Sequence, residues 1–460
     1  MAGELTVLVL AAGRGTRMRS SIAKVLHPVL GRPLLAWPLD VARALPAARR
    51  AVIVGFQAQA VARALPAGFE TVVQPKLWGT GHAVRQARRL FAGPGDTVVL
   101  SGDIPLLTAA TVRRLVAAHR RRRATVTFLT ARPADPSGYG RVVRCGEGRV
   151  KAIVEHDDAP PGVREIREVN AGVYCFENRF LDRALGRLRA ANRQEEYYLT
   201  DVIAAAVRAG LRVEGLACAD AEEMLGVNDR AQLAHATAVL RRRILERLMR
   251  AGVTVADPAS TWVEPGVRVG ADTVLLPGTA LEGSTVVAAR CHIGPFARLR
   301  DTRVGPGAVV RDCCVLEEAT VGAGCRVGPF AHLRPGTRLG AGARVGNFVE
   351  TKKARLGAGA KASHLSYLGD AEIGRRVNIG AGTITCNYDG VSKFRTTIGD
   401  DVFVGSDTQL VAPVSVGAGA LIAAGTTVTK DVPAGALAVS RTPQKVIEGW
   451  AARRRAKKGP

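Results

Sequence analysis

An aliphatic residue returns at every sixth position through much of the second half of the chain. The series runs Val263, Val269, Leu275, Leu281, Val287, Ile293 and Leu299, then Val321, Val327, Leu333, Leu339 and Val345, and finally Ile398, Val404, Leu410, Val416, Ile422 and Val428. This period fits neither a helix nor an alternating strand. Glycine often follows the aliphatic position, as in Val327-Gly328, Ile398-Gly399 and Val404-Gly405. The pattern predicts a hexapeptide β-helix. One aliphatic side chain per hexad points into a narrow prism, small neighbours let the backbone turn a corner, and coils stack at about 4.8 Å. A single hexad cannot bury its apolar residue alone, so stability comes from stacking and the repeat forms a solenoid domain of its own.

The first half alternates differently. Strand-like runs at Val7–Leu10, Ala51–Val54, Thr71–Val73, Thr97–Leu100 and Thr125–Leu129 are separated by helix-like stretches at Leu34–Ala44, Ala83–Leu90 and Thr111–Arg120. This predicts a mostly parallel sheet covered by helices, an α/β Rossmann-like domain over residues 1–229. Arg230 to Ala251 reads as a linking helix that Gly252 ends, and the β-helix follows over 252–460. A chain of 460 residues exceeds what one core usually organises.

Several classes of function are disfavoured. The N-terminus passes from Met-Ala-Gly-Glu straight into an aliphatic strand, and no apolar run approaches the roughly 20 residues of a membrane span, so a cytoplasmic protein without a membrane partner is expected. Eight cysteines occur without a Cys-x-x-Cys pair, which argues against zinc and a disulfide framework. The net charge of +25 is either a footprint for polyanions or an arginine-rich solvated surface. Aromatic residues that could stack on bases are sparse, so no nucleic-acid partner is expected. The excess of cations favours phosphate-bearing substrates.

In a sheet of this kind, ligands bind beyond the carboxyl ends of the strands. The first such loop is Ala11-Ala12-Gly13-Arg14-Gly15-Thr16-Arg17-Met18, whose glycines let backbone amides approach a phosphate or base, with Arg17 and Lys24 as nearby cations. It has neither the dinucleotide fingerprint nor the Walker lysine. The strand Thr97–Leu100 ends in Ser101-Gly102-Asp103, leaving a carboxylate at a strand end; Asp103 is read as a Mg²⁺ ligand, with a helix or turn cap as the alternative.

In the second half the period breaks at Asn347–Lys353 and again between Thr383 and Thr397, two places read as polar insertions on a functional face. His364 lies among them, and imidazole can draw a proton from an amine near neutral pH. Cys386 is discounted as a nucleophile because no base pairs with it in sequence.

These segments carry a specific resemblance. Leu10–Met18, Lys24-Val25-Leu26-His27, Gly79-Thr80-Gly81-His82, Gly102-Asp103, Gly138–Arg141, Val154-Glu155-His156, Asn170-Ala171-Gly172, Glu196–Asp201 and Gly226-Val227-Asn228 are similar to the bacterial family that joins an N-acetylglucosamine-1-phosphate uridyltransferase to a glucosamine-1-phosphate acetyltransferase. Phe330–Gly336, Lys361–Gly369 and Asn378–Thr383 resemble its second domain, and the match runs nearly end to end.

The resemblance implies that Leu10, Ala11, Ala12, Gly13, Gln74, Gly79, Thr80, Ser101 and Gly102 hold UTP. The sugar of N-acetylglucosamine-1-phosphate would lie against Gly140, Glu155 and Asn170. Asp103 and Asn228 would bind Mg²⁺, while Arg17 and Lys24 offset phosphate charge during in-line displacement. Where the family often has proline before the lysine, this chain has Ala23, which leads us to expect a softer loop around Lys24.

For acetyl transfer the resemblance implies His364 as the base for the amine of glucosamine-1-phosphate, with Asn387 orienting it. Arg334 and Lys352 would clamp the phosphate, and Tyr367 and Asn378 would contact the sugar. Acetyl-CoA would meet Ala381, Asn387, Tyr388, Ser406, Ala424 and Arg441, with Lys445 and the basic tail Arg453–Lys458 as further phosphate partners. The family's solenoid is a left-handed parallel β-helix that assembles as a homotrimer, so the same is expected here. Two alternatives stay open: a nucleotidyltransferase with a purely structural β-helix, and a non-enzymatic polyanion binder.

Overall fold

A computed structural model describes residues 4–146 and 148–456. The chain forms two compact units, Met1–Leu240 and Arg241–Pro460, and the boundary falls inside the helix Arg230–Arg250.

The first unit is built on a sheet whose strands lie in the order Val213–Ala217, Val126–Ala131, Val169–Glu177, Gly95–Ser101, Glu4–Ala11, Arg49–Val54 and Glu70–Val73. Along this path neighbours run parallel except Val169–Glu177, which is antiparallel to both strands beside it. Alternation decides which side each residue faces. Val7, Val9 and Val98 pack with Leu39 and Leu115 in one core, while Leu8 and Val99 pack with Val84, Leu181 and Val202 in the other. Helices therefore cover both sides of the sheet.

The strand Glu4–Ala11 pairs with Arg49–Val54 on one side and with Gly95–Ser101 on the other. Chain order thus reverses there, and a crevice opens at the carboxyl ends of Glu4–Ala11 and Gly95–Ser101. The expected helices are present with shifted ends: Ala36–Arg43, Thr80–Gln86 followed by a short turn at Arg88–Leu90, and Ala109–Arg122, whose first turn is capped by Thr108 Oγ1 accepting from Thr111 N–H.

The second unit is a left-handed parallel β-helix. Of the eighteen periodic aliphatics named above, only Val269 is not fully buried. Truncating one such inward residue, Leu333 for example, to alanine should cost about 2–5 kcal/mol because rigid neighbouring coils cannot close the void. The beat is silent between Leu299 and Val321 because the chain takes one five-residue step at Leu299–Val304 and another at Leu316–Val321. Val304, Val310 and Leu316 fall one place early and are buried all the same.

The two breaks turn out to differ. Asn347–Lys353 is no insertion: Arg344–Lys352 is one unbroken strand paired in register with Lys361–Gly369. The second break is a true insertion. Leu356 pairs with Ile373 and Ile398 with Val416, 17 and 18 residues on, whereas Ile373 pairs with Ile398, 25 residues on. The surplus forms a hairpin in which Phe394 N–H donates to Asn387 O at 2.8 Å.

Candidate active sites

At the switch point of the sheet lies a cavity of about 850 Å³, lined by Leu10–Thr16, Lys24, Gln74–Thr80, Ser101, Asp103 and Glu196 among others. Glycine is required at two places in its wall. A side chain at Gly102 would come within 2.5 Å of Leu10 O, and Gly15, at φ 65°, leaves room for the Lys24 side chain, which a Cβ there would meet at 2.5 Å. Gln74 is buried, with Nε2 donating to Gly79 O at 3.1 Å and meeting His82 Nδ1 at 3.0 Å. Thr80 Oγ1 accepts from Leu199 N–H at 3.0 Å.

Lys24 Nζ is ion-paired to Asp103 and donates to Asn228 Oδ1 at 3.1 Å. The two residues expected to share a divalent ion therefore aim their oxygens at one point, and that point already holds a positive charge. Such a donor set suits Mg²⁺, which takes one or two protein oxygens and completes its shell with water and phosphate. Among the described residues no group of three or more His, Cys, Asp or Glu side chains forms a metal cluster.

The residues expected at the sugar also meet. Asn170 N–H donates to Gly140 O at 2.8 Å, and a Cβ on Gly140 would lie 3.1 Å from Glu155 Oε2. Burial pushes the Glu155 carboxyl above the usual range, opposed by the hydrogen bond from Thr200 Oγ1 at 2.9 Å and reinforced by the charges of Asp158, Asp201 and Asp157. Arg17 is exposed and does not line the cavity; Arg14 does, packed over the Phe56 ring. Lys76, which no sequence motif singles out, places its ammonium 4.7 Å from the centre of the Trp78 ring on the same wall. The loop before Lys24 is held rather than soft: Ala23 is buried and donates its N–H to Gln57 Oε1 at 2.8 Å.

On the β-helix, His364 is exposed, with Nδ1 2.8 Å from Asn347 Oδ1 one coil below. If the carbonyl oxygen accepts, Nδ1 carries the proton and Nε2 is left with a lone pair to take one. The side chain that meets the ring is thus Asn347. Asn387, expected in that role, is buried and donates instead to Asp370 Oδ2 at 2.6 Å, so within one chain it does not touch His364.

Ala381, Ser406, Ala424 and Arg441 form a single line along the corner above His364. Asp407 N–H donates to Ala381 O at 2.7 Å, Gly425 N–H to Ser406 O at 2.8 Å and Arg441 Nε to Ala424 O at 3.0 Å. Arg334, Lys352 and Tyr367 gather at the next corner. Arg334 Nη1 pairs with Glu350 Oε1 at 2.7 Å, and Gly369 leaves the space that the Tyr367 hydroxyl and the Asn387 amide use. Lys393 of the inserted hairpin, overlooked in the sequence, holds the Lys352 ammonium below its ordinary range. Asn378 sits across the first corner, paired with Lys361, and the Tyr388 hydroxyl turns back to Gly390 O at 2.5 Å. Burial raises the Cys386 thiol, in keeping with its dismissal as a nucleophile. Lys445 is exposed; Arg453–Arg455 lie on a terminal helix, and Lys457 and Lys458 fall outside the described residues.

A cavity at the switch point of an α/β sheet, followed by a hexapeptide β-helix with an exposed histidine, defines a transferase with two sites. The nucleotidyl transferase family model matches residues 6–221, and the bacterial transferase hexapeptide model matches 318–353 and 395–430. The Bifunctional protein GlmU of Pelobacter propionicus is 51% identical over 457 residues, covering 99% of each chain. Those of Geobacter sulfurreducens and Streptomyces avermitilis are each 50% identical, over 472 and 456 residues, covering 98% of this chain and 99% and 94% of their own. This chain belongs to the GlmU family of bifunctional proteins, uridylyltransferase and acetyltransferase in one polypeptide.

Proposed function

We propose that the chain makes UDP-N-acetylglucosamine in two steps: acetyl-CoA acetylates glucosamine-1-phosphate on the β-helix, and the N-acetylglucosamine-1-phosphate formed takes UMP from UTP at the sheet cavity, releasing pyrophosphate. The observation that carries this reading is that Lys24 and Asp103 meet on one wall of that cavity, with Asn228 converging on the same Lys24 ammonium. A cation position beside a glycine-rich loop is what two mutually repelling phosphates require.

In the first unit, the amides of Ala11 to Gly13 and the side chain of Gln74 hold the nucleotide, while Gly140, Glu155 and Asn170 hold the sugar. Lys24 offsets charge on the phosphates, with Arg14 nearer the cavity than Arg17. Asp103 and Asn228 would hold Mg²⁺, which would supply further neutralisation of phosphate charge. No protein base is needed, because the attacking phosphate oxygen is already ionised near neutral pH.

In the second unit, Arg334 and Lys352 fix the sugar phosphate, Tyr367 and Asn378 contact the sugar, and His364 Nε2 takes a proton from the amine as it attacks the thioester carbonyl. Ala381, Ser406, Ala424 and Arg441 line the corner along which acetyl-CoA lies, with Asn387 and Tyr388 at the hairpin. The phosphate clamp and His364 occupy different corners, which supports a homotrimer in which neighbouring copies complete each site. Phe296, Phe330, Phe348 and Leu365, all between 50% and 64% exposed, stand in one ladder up the His364 corner, with the Phe330 and Phe348 rings stacked at 5.5 Å. Such an apolar stripe suits packing against a like surface. Among the described residues no helix is long and apolar enough to cross a membrane, which is compatible with a cytoplasmic site of action.

The test is a pair of substitutions assayed for both reactions. His364→Ala should lower acetyl transfer by about 10²–10⁴-fold with uridylyl transfer retained, since it removes only a proton acceptor. Lys24→Ala should do the reverse. Loss of both activities in either variant would contradict two independent sites, and unchanged acetyl transfer in His364→Ala would favour a structural β-helix.

A further inference from the structure

The loop that carries Lys24 is held from outside at two points by one side chain. Gln57 Nε2 donates to Ser21 O at 2.7 Å, and Gln57 Oε1 accepts from Ala23 N–H at 2.8 Å. Ala23 in turn starts the turn that contains Lys24, its carbonyl accepting from Leu26 N–H at 2.9 Å. The residue before Lys24 is therefore pinned at its N–H by Gln57 and at its C=O by the turn.

Gln57 does this from a costly backbone position. It lies at φ 51° and ψ 40°, in the left-handed region, just past the strand Arg49–Val54. The residues before it are fastened to the glycine-rich loop: Phe56 N–H donates to Ala12 O at 2.9 Å, and a Cβ on Gly55 would meet both Ala12 Cβ and Ala12 O at 2.9 Å. One strand end thus references both loops that face the phosphates, one through Phe56 and the other through Gln57.

We propose that Gln57 is a positioning residue for uridylyl transfer, acting through Ala23 to set where Lys24 Nζ stands against Asp103 and Asn228; this rests on the reading of that cavity given above. Ala23 has φ −56° and ψ 138°, angles that a proline ring also adopts. Among the described residues the Ala23 N–H goes only to Gln57. A proline at position 23 would then fix by covalent geometry what Gln57 fixes by hydrogen bonds, and it would forfeit only the bond to Gln57.

The experiment compares the full-length wild type, Gln57→Gly and the double variant Ala23→Pro/Gln57→Gly, measuring both reactions on each preparation. Glycine removes the clamp and relaxes the left-handed backbone, so a loss cannot be ascribed to strain at position 57. Gln57→Gly should lower kcat of uridylyl transfer about tenfold, with acetyl transfer by the same polypeptide within about twofold as the control for folding. The double variant should recover uridylyl transfer to within about threefold of wild type, which a merely structural role for Gln57 would not produce. Wild-type kcat in Gln57→Gly, or a double variant no more active than Gln57→Gly, overturns the proposal. A wild-type chain without any uridylyl transfer overturns the reading of the cavity itself, and the proposal with it.

Discussion

Lys24, on the wall of one cavity, meets Asp103 and Asn228 across 79 and 204 residues of sequence, whereas Asn347 and His364 are 17 residues apart and meet on an open corner of the prism. A sheet with helices on both sides gathers loops from distant segments at one end, and those loops wall in a ligand. A solenoid lays similar residues one above another along its outside. The first unit therefore gathers its proposed site around one cavity, while the second places its proposed phosphate clamp and base on separate corners. One site should work in any assembly state, and the other only against a neighbouring surface.

Breaking that contrast calls for charge on the aromatic ladder. Phe330→Glu/Phe348→Glu puts two carboxylates where two exposed rings stack, yet disturbs no inward residue of the prism. Light scattering should show dissociation, and acetyl transfer should fall at least about a hundredfold as central interface anchors are lost, with uridylyl transfer unchanged. A monomer that still acetylates would mean that one chain supplies the whole site.

A smaller effect is expected from Asn347→Ala, which removes the acceptor beside His364 Nδ1. The imidazole would then lose its fixed tautomer, and kcat of acetyl transfer should drop about tenfold with little change in KM for glucosamine-1-phosphate. A change in KM alone would place Asn347 in substrate binding instead.

What was legible in the sequence follows the same division. The hexad beat identifies the prism because one inward residue per step repeats regardless of tertiary detail. It fails between Leu299 and Val321, where a five-residue step before Val304 keeps Val304, Val310 and Leu316 inside but off the count. The run Asn347–Lys353 reads as an insertion because the inward place six residues after Val345 is filled by Thr351 instead of an aliphatic residue, though its backbone pairs without interruption. Asn347 as the partner of His364 depends on register between coils, which period alone does not set. In the first unit Gly102 and Asp103 are legible because they follow a strand end, and Lys24 because it is a cation a few residues past the glycine-rich loop within the motif Lys24–His27. That Arg14 lines the cavity and Arg17 does not is not legible there, since which cation near a short turn faces inward depends on the left-handed residues Gly15 and Arg19 on either side of that turn.

The hairpin can be probed through its effect on charge. Lys393, followed by burial, depresses the Lys352 ammonium, with Arg334 adding like charge and Asp370 opposing. Below its lowered pKa Lys352 is charged and can hold a phosphate; as pH rises through that value the charge is lost. Acetyl transfer should therefore show an alkaline fall in kcat/KM for glucosamine-1-phosphate, and Lys393→Met should move that limb to higher pH, leaving a change of about threefold near the limb itself. A limb that stays in place would detach Lys352 from phosphate binding.

The smallest effect separates the two units by the sign of their acid linkage. Asp400 and Asp401 on the prism are held below the usual carboxylate range by Arg375 and Arg376, so their support of the fold is present near neutral pH and is lost as pH falls. Glu155 is the opposite case. Its folded pKa is raised, so ionising it in place opposes folding, and this penalty grows as pH climbs from the ordinary glutamate value through the raised one. Glu155→Gln keeps an acceptor for Thr200 Oγ1 and removes the buried charge. Calorimetry should find the first unit more stable by about 1–3 °C at neutral pH, with the gain vanishing toward pH 4, while KM for N-acetylglucosamine-1-phosphate in uridylyl transfer rises. A variant that gains stability without losing substrate affinity would remove Glu155 from the sugar site, because a carboxylate kept buried against its own electrostatic cost needs a ligand to account for it.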